Sequence, residues 1–317
     1  MMVKKRKCPN NWSDTQRKIT LSYAGYDRLL RDRIKQLGPD SSDRKRFKAL
    51  MGHLPLNGPL RMSDLRARQK FADLVATEVR KLSEQPTDRS FYHLTLLADE
   101  GVMSDRSPKL CLKLLKQKAH RALRKVGIDG VFVVEVQPLI NWPQKGEGRT
   151  LLAHVHALCW TRVGSEGDSL AFFKEALGVG KDERNLAWSC QFGARPIVVK
   201  KITERRGCPS YWAAYILKGL TDAKTRLPRK GHSILDGKSA FKLRSTTKAL
   251  RPELAMRVYE LHAQLGLFAM TGGVGEGAAV LGRCKNRVRL WDAERQKQWQ
   301  TNGIKPIPPF DEHARAN

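Results

Sequence analysis

The run Leu151-Leu152-Ala153-His154-Val155-His156-Ala157-Leu158-Cys159-Trp160 carries two histidines inside an otherwise apolar stretch. A short apolar run of this kind predicts a buried strand. Side chains alternate across a strand, so His154 and His156 project from one face while Val155 turns to the other, where a core can bury it. Two imidazoles on one rigid strand supply two-thirds of a three-ligand metal site. The feature therefore demands a sheet with one apolar face and one face that carries chemistry.

Roughly fifty residues downstream comes a second constellation, Tyr211-Trp212-Ala213-Ala214-Tyr215-Ile216-Leu217-Lys218. Cys208-Pro209-Ser210 reads as a helix start with Ser210 as N-cap, and Gly219 as its end. On such a helix Tyr211 and Tyr215 are i,i+4 neighbours, and Lys218 follows three residues later, so two phenols and an ammonium share one stripe.

A third metal ligand is needed, and Glu135 is the first candidate. A hairpin centred near residue 145 brings it roughly opposite Val155, within about one residue of both histidines. The register decides the face, since a slip of one residue points Glu135 away from the site. Glu147, in the expected hairpin loop, is the alternative. Two histidines with a carboxylate suit Mn²⁺, while cellular abundance favours Mg²⁺. Two rival metal patterns fit less well. A His-x-His-x-Asp-His hydrolase needs Asp and His where Leu158 and Cys159 stand, and a cupin needs a glutamate soon after the pair, whereas the next is Glu166.

Charge indicates what such a site faces. Lys and Arg number 59 against 31 Asp and Glu, a formal net charge of +28 in 317 residues. That excess implies a polyanionic partner, nucleic acid before an acidic membrane. No apolar stretch approaches the roughly 18 residues of a membrane span. The basic start Met1-Met2-Val3-Lys4-Lys5-Arg6-Lys7 leads into Cys8-Pro9 and lacks the apolar core of a signal peptide, so a cytoplasmic location is expected. The six scattered cysteines form no Cys-x-x-Cys pair and read as reduced thiols.

Three regions follow from the patterning: a basic helical N-terminal region (1–88), a core (89–222), and a basic C-terminal region with a helix and flexible tail (223–317). Helical periodicity runs through 14–85, interrupted by the turn-rich 51–59. From about residue 90 the pattern becomes strand (91–97), basic amphipathic helix (108–126, ended by Gly127), strand (131–136), hairpin, the His-x-His strand, helix (169–177) and strand (195–202). This order predicts an α+β fold, a mainly antiparallel sheet with flanking helices, plus the N-terminal helical subdomain. Beyond Gly219 the chain reads as loop up to about Thr247, followed by a helix over 252–265. Thr271-Gly272-Gly273-Val274-Gly275-Glu276-Gly277 lacks the Gly-Lys-Ser/Thr ending of a phosphate-binding loop and reads as a flexible connector. The segment from Trp291 onward reads as a solvated helix with a disordered end.

In this order, Leu94-Thr95-Leu96, His154-Val155-His156 and Tyr211-x-x-x-Tyr215-x-x-Lys218 resemble the motifs of the HUH endonucleases, and within them the two-tyrosine initiators of rolling-circle replication. The likeness covers roughly residues 90–220. It implies a site-specific single-strand DNA endonuclease and ligase with His154, His156 and Glu135 on Mg²⁺ or Mn²⁺. Tyr215 is the first nucleophile and Tyr211 the second, with Lys218 beside them. The resemblance also implies single-stranded or hairpin origin DNA as substrate. A host helicase is the expected partner, because the chain holds no ATP-binding motif. A rolling-circle transposase of the same class is the closest alternative. Relaxases are disfavoured because their nucleophile usually precedes the histidines. A non-catalytic DNA-binding protein on the same sheet is the alternative of another kind.

Overall fold

The computed structural model describes residues 12–52, 59–86, 89–144, 148–162, 170–178, 188–189, 194–203, 207–228, 241–246 and 250–302. The protein is α+β, with a mixed, largely antiparallel sheet between helices. At its centre is a long hairpin of β3 (Asp129–Gln144) and β4 (Gly148–Trp160). The outer edge of β4 pairs with β1 (Phe91–Leu96) and, further along, with β2 (Val102–Ser104). β5 (Ile197–Lys201) extends the sheet beyond β1. The outer edge of β3 takes β8 (Thr271–Val274) at one end and β6 (Lys224–Pro228) at the other, and β7 (Phe241–Ser245) closes that side. Among these pairings only β3 with β6 is parallel.

Register sets which residues share a face. Glu135 pairs with His154 and Val134 with Val155. The expected partner of Glu135 was Val155, and the hairpin differs by one step because its register shifts between Leu139 and Pro143. That irregularity turns Glu135 onto the histidine face. The opposite face is apolar and closed: Leu151, Ala153, Val155 and Ala157 are fully buried.

Helices α1 (Trp12–Gln36), α3 (Leu65–Ser83), α6 (Pro209–Ile216) and α7 (Pro252–Ala263) pack together beside the histidine face. Their buried Tyr23, Tyr26, Phe71 and Val75 belong to the same hydrophobic cluster as the sheet. The other helices are α2 (Ser42–Gly52), α4 (Leu112–Val126), α5 (Leu170–Ala176) and α8 (Glu276–Asn302). α4 ends, as expected, at Gly127, whose φ of 73° suits glycine. It lays buried Leu115, Ala119 and Leu123 against the sheet.

Two expectations for the C-terminal region are corrected. The stretch after Gly219 is not all loop, since β6 and β7 form an antiparallel pair there. Alternating Lys, Thr and Arg at a sheet margin conceal strands that have little core to face. The glycine-rich 271–277 is no flexible connector: it forms β8 and the start of α8. There the glycines serve close approach, and a Cβ at Gly277 would overlap the carbonyl of Gly130. The helix expected from Trp291 is present and mostly exposed, as the last part of α8, whose earlier turns bury Val280, Leu281, Cys284 and Val288. Residues 303–317 lie outside the described part, as do Cys8, Cys190 and most of the 51–59 turn. Cys111, Cys159, Cys208 and Cys284 are free thiols. Among the described residues no helix is long and apolar enough to cross a membrane.

Candidate metal centre and its cleft

Glu135, His154 and His156 converge. His154 Nε2 and His156 Nε2 are 3.0 Å apart, and Glu135 Oε2 lies 3.3 and 3.1 Å from them. All three side chains are largely or wholly buried. His154 Nδ1 sits 3.4 Å from the carbonyl of Leu152, a contact that only an Nδ1–H makes. His156 Nδ1 is 3.1 Å from Thr95 Oγ1 on β1. A proton on each Nδ1, the tautomer a metal ligand requires, turns both Nε2 lone pairs toward the carboxylate. Consistently, Glu135 Oε2 is buried and accepts no well-formed hydrogen bond despite its two close neighbours.

Three electron-pair donors crowded this way can share a cation. Adjacent ligands of an octahedral ion, each at about 2.1 Å, stand about 3.0 Å apart, close to the separations found. The residues present fit a divalent metal, and the group could hold one. The described part of the chain contains no second such cluster.

The electrostatics keep the donors in ligand form. Burial pushes the His156 imidazole down to about 3 against the opposing pull of Glu135, and lowers His154 in the same way. Burial alone would raise the Glu135 carboxyl, but the opposing effects, led by the Lys218 ammonium, outweigh it and hold it well below the usual range. Lys218 Nζ donates to Glu135 Oε1 at 2.6 Å, with only 5% of its side chain exposed. Desolvation is the largest single effect and would lower this ammonium, yet Glu135, Tyr215 and Asp222 together outweigh it and raise it.

Tyr215 reaches the metal centre and Tyr211 stands one turn back. The Tyr215 ring lies edge-on to His156 and His93, at centroid distances of 5.8 and 5.7 Å. The Tyr211 ring stands edge-on to Trp212. The helix differs from expectation at both ends. Its N-cap is Cys208, with Pro209 as first residue, and Ser210 is already inside. It stops at Ile216, so Lys218 lies beyond the helical stripe and turns to Glu135. The stop is built by α1: Tyr23 Oη donates to the Leu217 carbonyl at 2.6 Å, and the Gly219 amide donates to Ser22 Oγ. A Cβ at Gly219 would meet the Ser22 carbonyl. Lys218 also stands 4.8 Å over the Tyr215 ring. Burial raises the Tyr215 phenol, and the opposing effect of Lys218 is the smaller of the two. Glu147 lies outside the described residues.

A cleft of about 310 Å³ opens on this centre, lined by His154, His156, Tyr215, Trp212 and Thr95 and edged by Lys200, Lys224 and Lys242. His93 also lines it. This ring is 3% exposed, stacks on His156 and lies 4.5 Å from Trp212, and neither nitrogen has a hydrogen-bond partner. Sequence reading passed over it. The signal was present, because antiparallel pairing of 91–96 with the histidine strand puts His93 and Thr95 on the His156 face. The lysines of β6 and β7 were missed with their strands. Searches against protein-family models, curated proteins and solved structures found no match to this chain.

Proposed function

We propose that the chain is a metal-dependent DNA strand transferase of the HUH type, an initiator that nicks single-stranded or hairpin origin DNA through a phosphotyrosyl intermediate. The observation that carries this reading is the Tyr215 ring set edge-on against His156 of the candidate metal cluster. The net charge of +28 and the lysine-edged cleft suit a phosphodiester substrate.

In this mechanism His154, His156 and Glu135 would hold the metal, and Mn²⁺ or Mg²⁺ there would supply positive charge to offset the charge that builds on the scissile phosphate. Tyr215 Oη loses its proton and attacks phosphorus. A P–O(tyrosine) bond forms, the bond to the 3′-oxygen breaks, and that oxygen takes a proton to become a free 3′-OH. One phosphate ester replaces another, so the step needs no nucleotide cofactor and is reversible. Buried and raised, the Tyr215 phenol is a reluctant acid in the free protein, and it ionises more readily once a cation is bound beside it. Tyr211, one helical turn earlier, is assigned the second transfer, although it is not among the residues that line the cleft. Strand separation beyond the nick falls to a helicase partner.

The test is adduct mapping. The protein is incubated with Mn²⁺ and single-stranded DNA from its own replicon, digested, and the DNA-linked peptide sequenced. Tyr215→Phe should remove most adduct, and Tyr211→Phe should leave single nicks but impair complete cycles. A linked peptide lacking both tyrosines refutes the assignment. DNA binding with no adduct under any metal condition makes the chain a non-catalytic binder on this fold.

A further inference from the structure

Two lysines approach the metal centre, and they are held differently. Lys218 is spent on Glu135: its ammonium bonds the carboxylate at 2.6 Å and is almost entirely buried. Lys224 is the first residue of β6, where the sheet brings it into register beside Leu139, on the face that carries Gln137 and Glu135. It lines the cleft together with His154, His156 and Tyr215. Its Nζ donates to Ser245 Oγ at 3.3 Å, which uses one of three donors. Lys200 and Arg195 also line the cleft but are exposed, where solvent screens them, and Lys242, paired with Leu227, stands three residues further along the β6–β7 pair than Lys224.

We propose that Lys224 is the ammonium that contacts the phosphodiester in this cleft, and that Lys218 is a positioning residue that orients Glu135 as a ligand. The inference rests on the strand-transferase reading and assigns that site's phosphate contact to a strand not recognised in the sequence. A phosphate bridging between the metal and Lys224 has its charge met from two sides, in a half-buried setting where a charge-assisted hydrogen bond is worth more than at the surface. Burial lowers the Lys224 ammonium, with the Glu135 charge opposing it, so an arriving anion also relieves a desolvated cation.

The experiment uses the full chain and two probes, thymidylyl-thymidine and its methylphosphonate analogue, which differ by the one phosphate charge. Binding is measured calorimetrically in EDTA and again with Mn²⁺. The wild-type protein should favour the charged dimer, roughly 10-fold or more. Lys224→Met should erase that preference, and Lys224→Arg should keep most of it. Lys218→Met should keep the preference in EDTA but weaken Mn²⁺ binding roughly 10- to 100-fold. Should Lys224→Met fail to fold, Lys224→Gln replaces it with the same expectation. An unchanged preference in the Lys224 variant overturns the proposal, as does a wild-type protein without preference, or a preference that vanishes in Lys218→Met instead. Tyrosyl adducts formed without Lys224-dependent discrimination sink this inference alone. Discrimination without adducts leaves the phosphate contact standing and sinks the transfer reaction.

Discussion

Replacing Glu135 by glutamine isolates the buried Lys218 contact. The ammonium is 5% exposed and bonds Glu135 Oε1 at 2.6 Å. Removing one partner of a buried ion pair costs about 3–5 kcal/mol, because the other charge is left unmatched. Two features place Glu135→Gln at the low end. The glutamine oxygen still accepts a hydrogen bond, and Asp222 adds a second attractive charge near Lys218. A loss of about 3 kcal/mol follows, or a fall in Tm of roughly 4–5 °C for a chain of 317 residues. Adding Lys218→Met should return at least half of it, since an apolar pair of similar volume tolerates this site better than a lone ammonium. The assay is urea unfolding in EDTA, followed by tryptophan fluorescence, for the wild type, both single variants and the double. A Glu135→Gln protein as stable as wild type refutes the reasoning, and so does a double variant no better than the single.

Three further outcomes are expected. Affinity for single-stranded DNA should fall by about 10³ or more between 50 and 200 mM salt if six or more phosphates are contacted, and a flat filter-binding curve contradicts that. The buried His262 ring has its pKa held well below 6.5 by desolvation and by Arg68, whose guanidinium lies 3.3 Å from its Nδ1. The unfolded chain therefore binds the extra proton first. The stability this neutral ring contributes is present above pH 6.5 and lost as pH falls below it, so His262→Leu should flatten the decline in unfolding free energy between pH 7 and 5. Gly277→Ala should cost about 1–3 kcal/mol in denaturant unfolding by forcing α8 away from Gly130, and an unchanged midpoint would show that α8 shifts freely.

What the sequence disclosed depended on periodicity. His154-Val155-His156 sits in a run whose apolar partners are all buried, so the alternation identified both the strand and its chemical face. α4 was equally plain, with an amphipathic stripe closed by a left-handed glycine. Glu135 was named for a sound reason but with an imperfect register, because the shift between Leu139 and Pro143 leaves no mark in composition. β6 and β7 were invisible for a different reason. They line a polar cleft, and strands whose partners are charged lose the contrast between faces on which pattern reading relies. β8 was hidden by glycines that serve close packing, a use that cannot be told from flexibility without the neighbouring backbone. Lys218 lay where helical spacing put it in sequence but past the end of the helix in space, because Tyr23 and Ser22, about two hundred residues away, cap that end.

That last contact ties the first described helix to chemistry it does not perform. α1 supplies none of the proposed ligands or nucleophiles, yet two of its side chains hold Leu217 and Gly219, the residues on either side of the Lys218 anchor. It works as a mechanical stop, and whatever displaces it alters the distance from the Tyr215 phenol to the Glu135–His154–His156 cluster without touching either. A domain fused ahead of α1, or a partner gripping its exposed side, would thereby acquire a lever on the proposed strand transfer. Truncations that spare every site residue but remove this helix should behave as active-site lesions.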